Sequence, residues 1–397
     1  MKLAHDLPIT VEHIEPLQRY LRIAVVTETW PPEINGVAVT LSKLIQQLGS
    51  RHHTIQLIRP RQDKFDSGRE NDGWSELLLK GLPIPKYPQL KLGLPSKKAL
   101  LKAWSIKRPD LVHIATEGPL GWSALQAAKI LRLPVTSDFR TNFHSYCQHY
   151  GVGWLTKPIV AYLRKFHNRT DCTMVPTLSM KHQLEAYGFK NLKVVARGID
   201  TTLFHPHKRS ELMRESWGAT SNTIVLLSVG RLAAEKNLSL TIDTYQALKS
   251  AGRDVKMVFA GDGPMRNATQ IKCPEAIFMG MCSHEQLAIL YASADLLLFP
   301  SLTETFGNVT LEAMSSATPV LAFDCAAASD FINNHQNGWL IDSTQPKTYI
   351  QRALEITSAH TTLPHARTQT RASIAHLGWS EIAQQVETIF EMAIQNN

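Results

Sequence analysis

The chain has no apolar run approaching the roughly 18 residues that a membrane-spanning helix needs. Nor has it paired cysteines. Its five cysteines (Cys147, Cys172, Cys273, Cys282, Cys325) are scattered without a C-x-x-C spacing, which argues for reduced thiols and against a disulfide framework or a thiolate zinc site. The sixteen histidines are dispersed, with no H-E-x-x-H. His52-His53 and His205-Pro206-His207 read as solvated turns. Although the net charge is +8, no helix-turn-helix, RNA-binding or zinc-finger pattern accompanies it, so nucleic acid is not an expected partner. G-x-G-x-x-G is absent as well, which argues against a dinucleotide. The stretch Met1–Leu21 carries acidic residues and no apolar core of signal-peptide type, and the expected location is cytosolic.

At 397 residues the chain is too long for one ordinary core. Short β-branched or apolar runs alternate with helical patterns. In the first half the strands are expected at 22–27, 54–58, 110–114, 134–137 and 173–175, with helices near 37–48, 121–131 and 179–187. The pattern breaks at Ala196–Arg209 and restarts with strands at 223–229, 255–260, 276–279 and 295–299. Such alternation predicts parallel, doubly wound sheets. The expected fold is α/β, with two Rossmann-like domains at residues 1–200 and 201–378. Their carboxyl edges would face across a cleft, and the last helix, within 379–397, would cross back to the first domain.

Charge is unevenly spread. From Lys80 to Arg108 there are eight basic and no acidic residues, interleaved with leucines, Pro83, Pro85, Pro88, Tyr87 and Trp104; a second basic-apolar stretch runs from Trp154 to Phe166. Solvated helix faces and a proline-rich loop account for either one alone. Both in one half make an anionic membrane surface or an acidic lipid a plausible partner, since each basic residue near such a surface contributes about 1 kcal/mol.

The densest chemistry lies at Ser301–Ala322. Glu304 and Glu312 flank a Phe306-Gly307 turn between a short apolar strand and an amphipathic helix. A loop of this kind opens at the carboxyl edge of a parallel sheet, where open α/β folds bind ligands. The new helix points N–H groups into the opening, as a phosphate requires, and carboxylates there can accept hydrogen bonds from sugar or ribose hydroxyls. After an earlier strand, Arg231 and Lys236 share one loop. They could neutralise a diphosphate leaving group, or Arg231 could merely pair with Glu235. Gly261-Asp262-Gly263-Pro264 follows the next strand and could let backbone approach a ligand. Met279–Ser283 could line a nucleobase, with Ser283 and Gln286 forming a capping box. In the first half, Asn35-Gly36-Val37 opens a helix at a second phosphate-approach position. Asp138–Tyr146 gathers Asp138, Arg140, Asn142 and His144 at a strand end, where function is favoured over packing.

Together these motifs resemble the retaining glycosyltransferase family 4, with its GT-B fold, over nearly the whole chain. The E-x7-E signature is Glu304 and Glu312, continued through Pro319-Val320. The basic pair is Arg231 and Lys236, the GDGP turn is Gly261–Pro264, and the early glycine loop contains Gly36. The resemblance implies transfer of a hexosyl group from a nucleotide-diphosphate sugar, GDP-mannose or a UDP-hexose, with retained configuration and without metal or cofactor. It casts Arg231 and Lys236 as diphosphate ligands, Glu304 as a donor-sugar ligand and Glu312 as a ribose ligand. Backbone around Phe306, Gly307, Asn308, Val309 and Thr310 would cradle phosphate, and the departing phosphate would take the acceptor's proton. Relatives carry a His-Thr pair after the strand at 134–137; here the pair is Arg140-Thr141, with His144 four residues on, so either could act. Thr318 stands where a glycine is usual. The region 82–98 and the segments 109–114 and 118–121 are most similar to members that glycosylate diacylglycerol at the cytoplasmic membrane face. A saccharide or polyprenyl-linked acceptor is the alternative, and a catalytically idle sugar-nucleotide-binding or scaffold protein is the alternative of another class.

Overall fold

The computed structural model describes residues 20–33, 36–84, 87–140, 156–304, 306–358 and 361–397. Its first sheet contains β1 (Arg22–Val26), β2 (Thr54–Pro60), β3 (Glu70–Asn71) and β4 (Trp74–Leu79). A separate hairpin, β5 (Gly81–Ile84) and β6 (Tyr87–Gly93), comes next in the chain. The first sheet then resumes with β7 (Leu111–Ile114), β8 (Val135–Asp138), β9 (Cys172–Val175) and β10 (Leu192–Val194). Its order is β10-β9-β8-β7-β1-β2-β4-β3, parallel except for the β3–β4 pair. The second sheet uses β11 (Ile224–Val229), β12 (Val255–Ala260), β13 (Ile277–Phe278), β14 (Leu296–Phe299), β15 (Val320–Phe323) and β16 (Gly338–Ile341). Its order is β13-β12-β11-β14-β15-β16, parallel throughout.

Both sheets are covered on both faces, which is why their strands read as continuous apolar runs. In β1, Ile23 and Val25 join one core while Ala24 and Val26 join the opposite one. In β14, Leu297 and Phe299 face one layer and Leu296 and Leu298 the other. A one-residue slip would exchange these sets. Each sheet reverses its winding once, between β1 and β7 in the first and between β11 and β14 in the second.

Two crossings join the halves. Ile199 N–H donates to Leu377 O at 2.8 Å, and a side chain on Gly198 would strike the Trp379 ring at 2.4 Å. From there the helix Trp379–Gln395 packs Ala383, Val386, Phe390 and Ala393 into the core beneath β1. His53 helps fix it, which corrects the solvated reading of that residue. It is buried, accepts Leu21 N–H on Nδ1 at 3.0 Å and presents Nε2 to Glu387 at 2.8 Å. An Nδ1 that accepts carries no proton, so the ring donates through Nε2.

The basic region is also more structured than a proline-rich loop. After the hairpin, the helix Lys97–Ile106 buries Leu100 and Trp104 and leaves Lys97, Lys98 and Lys102 exposed. Trp104 Nε1 donates to Gln56 at 3.0 Å. No helix among the described residues is long and apolar enough to cross a membrane.

Candidate active site

The second sheet's reversal puts the loops after β11 and β14 side by side, with the crevice of a doubly wound sheet between them. The β11 loop begins at Gly230 (φ 140°), carries Arg231, and tightens into a short 3-10 turn over Ala234–Lys236. Asn237, in the left-handed region, redirects the chain into the helix Leu238–Ser250. The β14 loop is stitched to it: Leu302 N–H donates to Glu235 O at 2.9 Å and Ser301 Oγ to the same carbonyl at 3.3 Å. Lys236 Nζ therefore meets Glu304 Oε1, which also accepts from Ser301 Oγ at 2.9 Å. The ammonium stands 5.3 Å from the centre of the Phe299 ring. Arg231, two-thirds exposed, pairs with Glu235 at 2.8 Å. Burial opposes the charge on Glu235, but its own N–H and the Arg231 guanidinium hold its carboxyl below the usual range.

The predicted glycines divide by role. Gly307 (φ 85°) makes the left-handed turn that starts the helix Asn308–Ser315, a conformation that disfavours other residues. Gly261 and Gly263 are required by packing between loops. A side chain at either would strike the backbone of Gly230 or Leu232, at 2.0 and 2.5 Å. Among Asn308, Val309 and Thr310, only Thr310 N–H finds a protein acceptor among the described residues, Gly307 O at 3.0 Å. The Thr310 side chain is buried with its Oγ1 unpartnered among the described residues, and the N–H groups of Asn308 and Val309 are unmatched there as well. Phe306 is buried in the core, its ring faces Arg197, and its carbonyl accepts Ala327 N–H at 2.8 Å.

Glu312 lies one turn into the same helix. Tyr291 Oη donates to its Oε2 at 2.9 Å, and Oε1 has no hydrogen-bond partner among the described residues. Burial raises this carboxyl's pKa, and the Tyr291 hydrogen bond opposes that rise. Ser283 and Gln286 form the expected capping box: Ser283 N–H donates to Gln286 Oε1 at 2.8 Å and Gln286 N–H to Ser283 Oγ at 3.3 Å.

On the first sheet, Asp138 ends β8. Arg140 binds its Oδ2 through both Nε and Nη2 at 2.5 Å, and His113 Nε2 lies 3.3 Å away. Burial would raise the Asp138 pKa, but Arg140 and His113 outweigh it and hold the group ionised. Arg140 is thus brought to the cleft already paired, while His144 and Asn35 lie outside the described residues. Gly36 begins the helix Gly36–Ser50. At the first reversal, Glu28 Oε1 accepts Leu120 N–H at 2.9 Å, and Glu28 N–H donates to Thr116 Oγ1 at 2.9 Å. Burial raises both Glu28 and Glu117 to about 7; backbone N–H groups oppose it in each, and the charge of Glu28 adds to the rise in Glu117. Sequence reasoning passed over Glu28 and Glu117. It also passed over Arg197, whose only clue was a cation at the break in the strand–helix pattern. No group of three or more His, Cys, Asp or Glu among the described residues could hold a metal ion.

Residues 34–203 match the model of Glycosyltransferase Family 4 and residues 209–371 that of Glycosyl transferases group 1. A GDP-mannose-dependent alpha-mannosyltransferase of Corynebacterium glutamicum is 31% identical over 340 residues, covering 85% of this chain and 80% of the relative. An alpha-monoglucosyldiacylglycerol synthase of Streptococcus pneumoniae is 28% identical, covering 81% and 75%. Among solved structures, a sucrose-phosphate synthase from Thermosynechococcus elongatus superposes with a TM-score of 0.73 at 16% identity, over 95% of this chain and all of that one. Anabaena HepE in complex with UDP and glucose gives 0.69 at 17% identity, over 94% and all. These likenesses show the GT-B fold.

Proposed function

The chain belongs to glycosyltransferase family 4, and from that premise we propose that it moves a hexosyl group from a nucleotide-diphosphate sugar, GDP-mannose or a UDP-hexose, to a lipid acceptor such as diacylglycerol. The observation that carries the donor half is the second sheet's reversal. There the unmatched N–H groups of Asn308 and Val309 open beside Lys236, Glu304 and Arg231. Helix N-termini with nearby cations bind phosphate.

In this reading Lys236 leaves Glu304 for a phosphate oxygen, and Arg231 leaves Glu235. Glu304 then accepts from hydroxyls of the donor sugar, and Glu312 Oε1 from the ribose. The glycosidic C–O bond breaks with its electron pair going to the phosphate. The acceptor oxygen bonds the same carbon on the same face, and its proton passes to the departing phosphate. The cations stabilise the charge as it develops. No metal or cofactor takes part in this scheme.

Three observations support the lipid acceptor. A groove of about 950 Å³ on the first domain is lined by Leu78, Leu79, Leu94, Trp122 and Tyr162, with Lys80, Lys97 and Lys98 on its rim. A neighbouring apolar hollow adds Lys129 and Arg169. The relatives include an enzyme named for diacylglycerol. Apolar walls with a cationic rim suit acyl chains at an anionic surface, on the cytoplasmic face of a membrane.

The test is a donor screen with diacylglycerol-containing vesicles, followed by mass analysis of the lipid. One donor should yield a lipid one hexose heavier. A product found only on soluble saccharides would replace the acceptor, and no released nucleotide from any donor would favour an idle binding protein. In parallel, K98E/K102E should at least halve sedimentation with anionic vesicles and leave neutral-vesicle binding unchanged. Equal binding by wild type and variant would remove the membrane surface from the proposal.

A further inference from the structure

The other cations around the crevice already have partners: Lys236 has Glu304, Arg231 has Glu235 and Arg140 has Asp138. Arg197 differs. It comes from the connector after β10, where its neighbour Gly198 is pressed against Trp379 and Ile199 is bonded to Leu377, so its backbone is held by both chain crossings. The residue is partly buried and forms no hydrogen bond or ion pair among the described residues. It lies over the Phe306 ring with Cζ 5.3 Å from the centre, and Nη1 is 3.7 Å from where a Cβ on Gly36 would stand.

Burying a guanidinium without an acceptor is unfavourable, and a ring face answers only part of its charge. Burial and the nearby Arg140 push its pKa down to about 10, which still leaves it protonated at neutral pH. An arrangement of this kind is explained when an anion completes it. The surroundings indicate which anion. Gly36 opens the first domain's leading helix, and Phe306 immediately precedes the turn that opens Asn308–Ser315. The carboxylates of Asp138 and Glu304 lie within electrostatic range of Arg197, Asp138 with the larger effect, but neither is hydrogen-bonded to it.

We infer that Arg197 is a third cation of the donor site, pairing through its guanidinium fork with the distal, sugar-bearing phosphate of the nucleotide diphosphate. The inference rests on the donor reading above. The distal phosphate is chosen because it is bonded to the sugar that Glu304 receives. Arg197 forms no covalent bond and moves no proton; it stabilises the charge that collects on this phosphate as the glycosidic bond breaks.

The full-length chain and its R197Q and R197K variants serve as the test, with calorimetric titration of GDP, GMP, UDP and UMP and thermal melts without ligand. In R197Q, the diphosphate that wild type binds should weaken at least about tenfold, and its monophosphate less than about threefold. R197K should recover part of the loss, since it keeps the charge and loses the fork. Without nucleotide, the R197Q melting temperature should equal or exceed that of wild type, because the variant removes an unmatched, partly buried charge. Unchanged diphosphate affinity in R197Q would overturn the inference alone. So would equal weakening of mono- and diphosphate, or a lowered melting temperature with wild-type affinity. If wild type binds neither diphosphate, the donor reading falls and this inference with it.

Discussion

The two sheets reverse their winding in the same way, and the molecule treats the two crevices oppositely. Between β1 and β7, a carboxylate of the protein itself, Glu28, reaches the N-terminus of the next helix and accepts Leu120 N–H. Space there is so tight that a side chain on Gly118 would lie 2.2 Å from the Glu28 carboxylate. Between β11 and β14, the corresponding helix begins at Gly307 with no side-chain cap, and the nearest carboxylate, Glu304, is turned to Lys236. One crevice is filled by its own acid. The other leaves the N–H groups of Asn308 and Val309 unmatched beside Lys236 and Arg231, the arrangement the proposal gives to an anion from outside. Since the backbone physics of the two helix ends is the same, the difference lies in a few side chains, and it is the reason the donor site is proposed on the second domain.

The sharpest way to break this contrast is at Glu304 and Lys236. E304A should lower transfer by about a hundred- to a thousandfold, the scale on which one preorganised polar group in an active site acts. Nucleoside diphosphate affinity should stay near wild type, because its role is with the sugar. K236A should lower transfer comparably and also weaken the diphosphate. Steady-state rates alongside calorimetric Kd values check both. If E304A transfers at the wild-type rate with the fold intact by circular dichroism, the β14 loop is not the donor-sugar site.

This half of the molecule was legible in the sequence because its parts are local. Glu304, Gly307 and Glu312 fall within one loop and helix, and Arg231 and Lys236 within another, so motif spacing carried the geometry. The parallel sheets were legible for a similar reason: strands buried on both faces are short apolar runs between helices. The first domain's edge was not readable this way. Glu28 meets Leu120 across 92 residues of chain, and His53 meets Glu387 across 334. His53 sits in a polar segment, and only tertiary packing buries it. The hairpin Gly81–Gly93 was hidden by its prolines, which β-edges tolerate. At Gly261 and Gly263 the sequence showed that close approach was needed, but not that the approaching group is another loop.

A first-domain lesion should behave differently from one on the second. Asp138 answers Arg140 and His113 in a buried network, so D138A leaves a guanidinium, itself only 12% exposed, without its carboxylate. Breaking such a pair costs about 3–5 kcal/mol. Urea unfolding should show a loss of that size, while nucleoside diphosphate still binds. Undiminished stability with transfer abolished would instead make Asp138 a ligand of substrate, and the first edge would then be chemical in the same sense as the second.

The smallest predicted effect concerns the acid that fills the first crevice and its neighbour. Glu28 and Glu117 have folded pKa values of about 7, against 4.5 for an ordinary glutamate. Between those values the folded chain holds protons that the unfolded chain has released. Their stabilising contribution is therefore complete below about pH 4.5 and is lost as the pH rises to and past 7, by up to about 3 kcal/mol per group. Wild-type stability should fall across that window. E117Q cannot ionise, so it should flatten the slope, measured as urea midpoints from pH 5 to 8. E28Q should flatten it too, but with an offset, because above pH 7 the Glu28 carboxylate is also the anion on the Leu120 helix end. Should both variants keep the wild-type slope, these acids are ionised in the fold at neutral pH. The first crevice would then be held by charge, as the second is proposed to be by its ligand, and the contrast would narrow to whose charge it is.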